Sequence, residues 1–426
     1  MRALRSTLLL PTAALWATLT SGPSLADADA PETSPSPLTV GGSLRGAWWA
    51  YSRELDKVPN IAVGSVWLDG RLDLGAAGDV RANGWVGAQS RDQPPTYPNG
   101  RLRELYWSKG VGDLDVRVGS EIILWGRADA INPTDNLTPR DYTLLTPEDN
   151  DQRFGNIDVN AVYHWGDYSA QLVYLPKFYS DVIPLLPKPG VTYTYVTPEA
   201  HDNWAFKFDH TGGGLDWSLS YYNGLDVLPD LGFAGISASG LKLSLTNHKM
   251  QVVGADFSAT TGPYVLRGEV AWMYPDRVTV NPFEQKKPQI FAVLGGERKF
   301  GDDLNINLQY FAQRVFDFVS PDTIANPIAQ AIAWEQAEIS NQTSAFQQGM
   351  TFRVAYTWDN NSWQAEASGI YSFTNKGQLW RGKLSHAIDD HWRVSAGIDI
   401  FGGTEHSTLS LLKNNSTGYV ELRYSF

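Results

Sequence analysis

The sequence predicts an all-β protein: a transmembrane antiparallel β-barrel of about eighteen strands, with short periplasmic turns and long outer loops. Three observations predict it. Segments of about ten residues alternate strictly between apolar and polar side chains, the signature of strands with lipid on one face and water on the other. The connections between them alternate between tight Gly/Asn/Asp turns and long stretches. Finally, the chain has no cysteine although its start reads as an export signal. An exported chain of this size without disulfides fits stabilisation by extensive sheet pairing.

Taken in order, residues 1–26 read as a signal peptide. Arg2 and Arg5 supply the positive start, and residues 8–19 the apolar core, which is too short and too interrupted by Pro11 to span a bilayer. Ser24-Leu25-Ala26 supplies the small-x-small cleavage site. Residues 27–39 form a Pro/Ser/Thr-rich periplasmic linker, and 40–426 a single barrel that no further linker divides. No later run is apolar enough for a membrane helix. The formal net charge of −12 loses the two positive charges of Arg2 and Arg5 on processing and becomes −14, which argues against a nucleic-acid partner.

Strands are expected to begin near residues 41, 61, 79, 100, 113, 156, 168, 202, 214, 248, 262, 289, 303, 347, 361, 377, 389 and 417. In 303–313, Leu304, Ile306, Leu308, Tyr310 and Ala312 share one face, and Asp303, Asn305, Asn307, Gln309 and Gln313 the other. The segments near 100 and 289 alternate least clearly. Short turns such as Gly166-Asp167 and Asp359-Asn360-Asn361 alternate with long connections at 126–155, 178–201, 224–247, 275–288, 317–346 and 403–416. Lipid offers no hydrogen-bond partner, so the first strand must pair with the last and close the sheet. About eighteen strands then enclose an aqueous lumen.

The stretch 121–156 is the exception in this pattern. It runs about thirty residues without strand periodicity, carries Pro133, Pro139 and Pro147, and mixes arginines with acids. It is expected to fold into or over the lumen. The candidate constriction residues are Arg117, Glu121, Arg127, Asp129, Asp135, Arg140 and Asp141. Arg381 and Lys383, with no acid in their strand, are expected to form an anion-attracting patch. Most other wall charges are expected to neutralise each other across strands. Trp49, Trp67, Trp85 and Tyr222 face inward by the alternation, either packing on the inserted loop or forming a solute track. Outward tryptophans such as Trp165, Trp272 and Trp392 suit interface girdles. Asn326 and Pro327 open the one expected helix, with Ile328, Ala331, Ile332, Glu335 and Ile339 on its stripe.

Alternating hairpins, the signal peptide and the terminal Tyr424-Ser425-Phe426 resemble Gram-negative outer-membrane β-barrel porins. That resemblance implies an outer-membrane location among lipid and lipopolysaccharide, and recognition of Phe426 by the barrel-assembly machinery. The segment Trp125-Gly126-Arg127 leading into Asn132-Pro133-Thr134-Asp135 looks like the alginate-export type of porin. The expected function is diffusion of small hydrophilic solutes through a lumen narrowed by loop 126–155. A channel selective for anionic or sugar-like molecules, polysaccharide export included, is the alternative, and a barrel lipid hydrolase the second. The hydrolase reading rests on His406-Ser407 with Ser410, which lack a clear supporting acid. Asp149-Asn150-Asp151 lacks the spacing of a calcium loop. No nucleotide fingerprint or zinc spacing occurs, so no cofactor is expected.

Overall fold

The computed structural model describes residues 36–426 except 51–53, 56–57, 92–98, 198–201, 278–280, 282 and 405. The expected signal peptide and most of the linker 27–39 lie outside the described residues. In chain order the strands are β1 (Leu38–Ala50), β2 (Asn60–Asp73), β3 (Asp79–Gln89), β4 (Gly100–Val111), β5 (Leu114–Glu121), β6 (Asn156–Trp165) and β7 (Tyr168–Lys177). They continue as β8 (Val191–Tyr195), β9 (Asn203–His210), β10 (Leu215–Leu225), β11 (Asp230–Ser237), β12 (Gly240–Thr246), β13 (Lys249–Thr261) and β14 (Tyr264–Pro275). The last are β15 (Gln289–Phe300), β16 (Leu304–Val315), β17 (Phe346–Trp358), β18 (Trp363–Ser372), β19 (Gln378–Ala387), β20 (Trp392–Gly402) and β21 (Thr417–Ser425). One α-helix, α1, spans Pro327–Ile339.

Eighteen of these strands form one antiparallel sheet, with β7 pairing β9 and β10 pairing β13. Their starts fall within three residues of those read from the alternation. The sheet closes where β1 pairs β21, from Ser43↔Ser425 to Ala50↔Gly418. Beyond that register the carbonyl of Phe426 accepts from Gly42 N–H at 2.9 Å. Closure leaves no strand edge, as lipid demands.

The outer wall is a belt of exposed apolar side chains, among them Leu44, Leu68, Val86, Leu219, Leu294 and Leu422. Aromatic pairs line its periplasmic rim. Trp358 and Trp363 stack across the turn between β17 and β18, Trp165 and Tyr168 across the turn between β6 and β7, and Trp392 meets Tyr424. Such rings anchor a barrel at the level of the headgroups.

Both weakly alternating segments are strands, and each has a physical reason for its blur. Between β3 and β4 the register slips: Asn83 pairs Glu104 but Gly84 pairs Leu102. This bulge places Leu102 and Leu105 in lipid while Arg103 and Glu104 both bond lumen groups. In β15, Val293 is apolar and yet faces inward, buried beside Phe311.

The remaining strands are not part of the barrel sheet. β11 and β12 form a hairpin, and β8 runs parallel to β12. The sequence pattern assigned these residues to long connections. α1 packs on this small sheet, with Ile332 among Ile183, Leu185, Leu231, Leu243 and Leu245. Its Gln336 accepts from Leu231 N–H and donates to Asp230. Ile328 and Ala331, expected on the apolar stripe, are exposed, because the helix buries Glu335, Gln336 and Glu338 together with Ile332, Ala333 and Ala337. Asn326 caps the helix, accepting from the N–H groups of Ile328 and Ala329 at 3.0 and 3.1 Å. Asn326→Ala is expected to cost about 1 kcal/mol and to lower hydrogen-exchange protection of the first turn about fivefold.

Candidate functional site

The chain leaves β5 at Glu121 and reaches β6 at Asn156, and the intervening loop crosses the lumen. Its first half is tied to one side of the wall. Trp125 Nε1 donates to Gln171 of β7 at 3.0 Å. Arg127 bonds Asp209 of β9 at 2.7 Å and Asp256 of β13. Glu269 of β14 accepts from Ala128 N–H at 2.5 Å and from Thr134 Oγ1 at 3.0 Å. Asp129 accepts from Asn307 of β16, and Arg267 stands 3.5 Å from it. Gly126 has φ +92°, and a Cβ there would sit 2.5 Å from the Glu269 carboxylate, so the turn onto Glu269 requires glycine.

The second half reaches the other side. Asp141 meets Arg101 of β4 at 2.8 Å, and Asp151 meets Arg45 of β1 at 2.6 Å. Glu148 and Asp149 meet Lys383 and Arg381 of β19 at 2.5 and 2.7 Å. Arg103 donates to the carbonyls of Asn150 and Arg153 at 2.6 and 2.9 Å.

Between these anchors the loop buries apolar side chains against inward-facing wall residues. Ile123, Trp125 and Leu137 pack with Tyr222, Met250 and Val252. Ala128 and Ile131 pack with Val293, Phe311, Ile370 and Leu379, joined by Leu409 and Leu412 from the last outer connection. Leu145 packs with Trp49, Ile61 and Tyr419. Two niches left between loop and wall measure about 20 Å³ each, room for a water molecule or so. Loop and wall side chains therefore pack closely at these three clusters. Toward the periplasmic turns the inward side chains are open: Arg71, Arg81 and Asp115 are each 52% exposed, and Arg117 44%.

The loop's own groups feel this burial. Burial pushes the Asp149 carboxyl up despite Arg381 beside it. Burial likewise lowers Arg153, in spite of Asp135. Asp181, in the connection after β7, accepts from Arg140 N–H at 2.7 Å, and burial pushes it up to about 7.

Several expectations need correction. Arg381 and Lys383 form no open anion patch, because Asp149, Asp399 and Glu148 neutralise them. Asp135 and Arg140 do not line the passage; with Arg153 they form a buried cluster inside the loop. Asp149 and Asp151 bond the wall arginines Arg381 and Arg45. Of the two roles open to Trp49 and Tyr222, packing on the loop holds and the track does not: they are 1% and 2% exposed beneath it. Trp67 stacks on Trp85 and carries the Arg45 guanidinium 4.1 Å from its centroid. Glu121 is closed in by Arg117 at 2.5 Å and by Asn160. His406 stacks on Trp334 and bonds Glu338 at 3.1 Å, while Ser407 and Ser410 bond each other, so the hydrolase cluster lacks a serine–histidine bond. Arg101, Arg103 and Glu104 escaped the reading from sequence because the β3–β4 bulge breaks the alternation that would have pointed them inward.

No protein-family model matches the sequence, and no curated protein sequence matches it significantly. Solved structures do. OccAB4 of Acinetobacter baumannii superposes with a TM-score of 0.54 at 10% identity, covering 93% of this chain and 100% of that one. OccAB1 of the same organism gives 0.54 at 8% identity, covering 93% and 98%. OccK11 (OpdR) of Pseudomonas aeruginosa gives 0.54 at 8% identity, covering 91% and 96%. At these identities the likeness is one of fold. With its closed sheet, lipid-facing belt and aromatic rim, the chain is an eighteen-stranded outer-membrane β-barrel of the porin architecture.

Proposed function

We propose that the protein is an outer-membrane channel for small hydrophilic solutes, whose passage is set by the loop between β5 and β6. One observation carries this reading: in a closed barrel with an open periplasmic half, the loop is pinned to wall charges on opposing sides, Arg127 to Asp209 and Asp256, and Asp149 to Arg381. Beside its apolar packing, the loop is held by ion pairs and hydrogen bonds to both walls, and water or a polar solute that enters as the loop yields can solvate the groups that part. Solute passage is then a matter of the loop yielding at a few anchors while the wall stays intact. The paired charges left on the two walls give a transverse field at the narrow point, which orients dipolar solutes.

The test is single-channel conductance of the purified barrel in a planar bilayer, with and without residues 130–150. The intact protein is expected to show small or intermittent conductance, and the deletion a steady one several times larger. Silence in both forms would overturn the channel reading.

A further inference from the structure

Arg140 and Arg153 lie side by side in the constriction loop, joined by an isolated antiparallel bridge. Their side chains are 6% and 4% exposed. Both guanidiniums lean on a single oxygen, Asp135 Oδ2, at 3.5 and 2.5 Å. Three of their nitrogens, Arg140 Nη1 and Arg153 Nε and Nη1, are sealed from solvent with no hydrogen-bond partner. Buried donors without partners are rare in folded proteins, and charged ones are the most costly.

Most neighbouring carboxylates are engaged elsewhere, although Asp135 Oδ1 and Asp149 Oδ1 are, like the three nitrogens, buried without a hydrogen-bond partner. Asp149 bonds Arg381, Asp151 bonds Arg45 and Thr146, and Asp141 bonds Arg101. Asp181 takes the backbone N–H of Arg140, not its side chain. Arg103 brings a further cation, hydrogen-bonded to two carbonyls and to Asn83. Two buried guanidiniums thus share one carboxylate oxygen, and burial works against the charge of Arg153.

We propose that a small monovalent anion of halide size sits against Arg140 Nη1 and Arg153 Nε and Nη1, and completes the fold of the constriction loop. A halide accepts several N–H groups at once without directional demands, and it supplies the missing negative charge. A water molecule accepts from the same donors but leaves that charge uncompensated. The ion is enclosed, so it enters when the loop sets, not by diffusion into the finished barrel.

The experiment refolds the full barrel in sodium bromide and collects anomalous diffraction at the bromine edge. A bromine peak within hydrogen-bond reach of both arginines is expected. A parallel melting series compares samples each refolded in bromide, chloride or isethionate, a much larger organic anion, at equal ionic strength. Wild type is expected to melt higher in the two halides, and Arg153→Gln to lose that difference. Asp135→Asn keeps an acceptor oxygen but removes the shared charge, and is expected to widen the difference. Water density in place of bromine, or identical melting of wild type in halide and isethionate, would overturn the proposal. The diffraction arm uses wild type alone, so a misfolded variant leaves it decisive.

Discussion

Replacing Arg127 by methionine is expected to loosen the constriction more than any other single change at its anchors. Arg127 holds two wall carboxylates from neighbouring segments of the barrel, Asp209 and Asp256. Asp209 has a second cation, Lys207 at 2.6 Å, and remains compensated. Asp256 does not: its side chain is 1% exposed, and its other recorded partner is the Ser218 hydroxyl. Removing one partner of a buried ion pair costs about 3–5 kcal/mol, because the survivor is left charged and dry. Moving the loop aside readmits water to Asp256, so that cost falls on the docked state. The open population should rise by about two orders of magnitude or more. In single-channel records this appears as long open dwells in place of brief ones. Adding Asp256→Asn should restore part of the closed dwell time, since the amide carries no charge to strand. Unchanged gating in Arg127→Met would show that the apolar packing of Ile123, Trp125 and Leu137 holds the loop without the ion pair.

The second large effect is on pH. Asp181 ties the connection after β7 to the constriction loop through Arg140, and a second tie runs from Val182 N–H to the Arg140 carbonyl at 2.9 Å. Burial raises the Asp181 carboxyl from an ordinary value of 3.8 to about 7. The docked state therefore holds a proton that the undocked state releases. Docking is fully favoured below about pH 4, weakens as pH climbs, and levels off above about 7. Each unit in that window removes about 1.4 kcal/mol at most, so the whole effect is bounded at about 4 kcal/mol. Open probability should accordingly be lowest at about pH 4 and below, rise through the window and level off above about pH 7. Asp181→Asn keeps an oxygen that accepts from Arg140 N–H but cannot titrate. Its gating should be flat over the same range. A wild type equally flat would mean that Asp181 stays buried when the channel opens.

The barrel was legible in the sequence because every spanning strand meets the same two solvents. Lipid and lumen impose period two wherever the wall is regular, and that is why eighteen strand starts could be placed without the fold. α1 was legible for a different reason: Asn326 and Pro327 cap it locally, within one turn. What stayed hidden depends on where the loop goes. Arg381 looked unopposed within its strand, and its partner Asp149 lies 232 residues away in the chain. No period connects the two. Phe311 and Val293 broke the polar pattern of the inner face because the loop brings apolar side chains to meet them. The β3–β4 bulge hid Arg103 and Glu104 by the extra residue it inserts. The small outer sheet was missed because its strands are short and owe nothing to the bilayer, and one of them pairs in parallel with a distant segment.

The seam between β1 and β21 has a consequence for the order of events during assembly. Anchors of the constriction loop lie on both sides of that seam, Arg45 on β1 and Arg381 on β19, two strands from β21, as well as on β13 and β14 across the lumen. These strands take their final separation only once Ser425 has met Ser43. The loop therefore cannot gain its full set of partners in a half-built sheet. Docking of the loop on its complete set of anchors is therefore the last step in building the barrel, after the seam has closed.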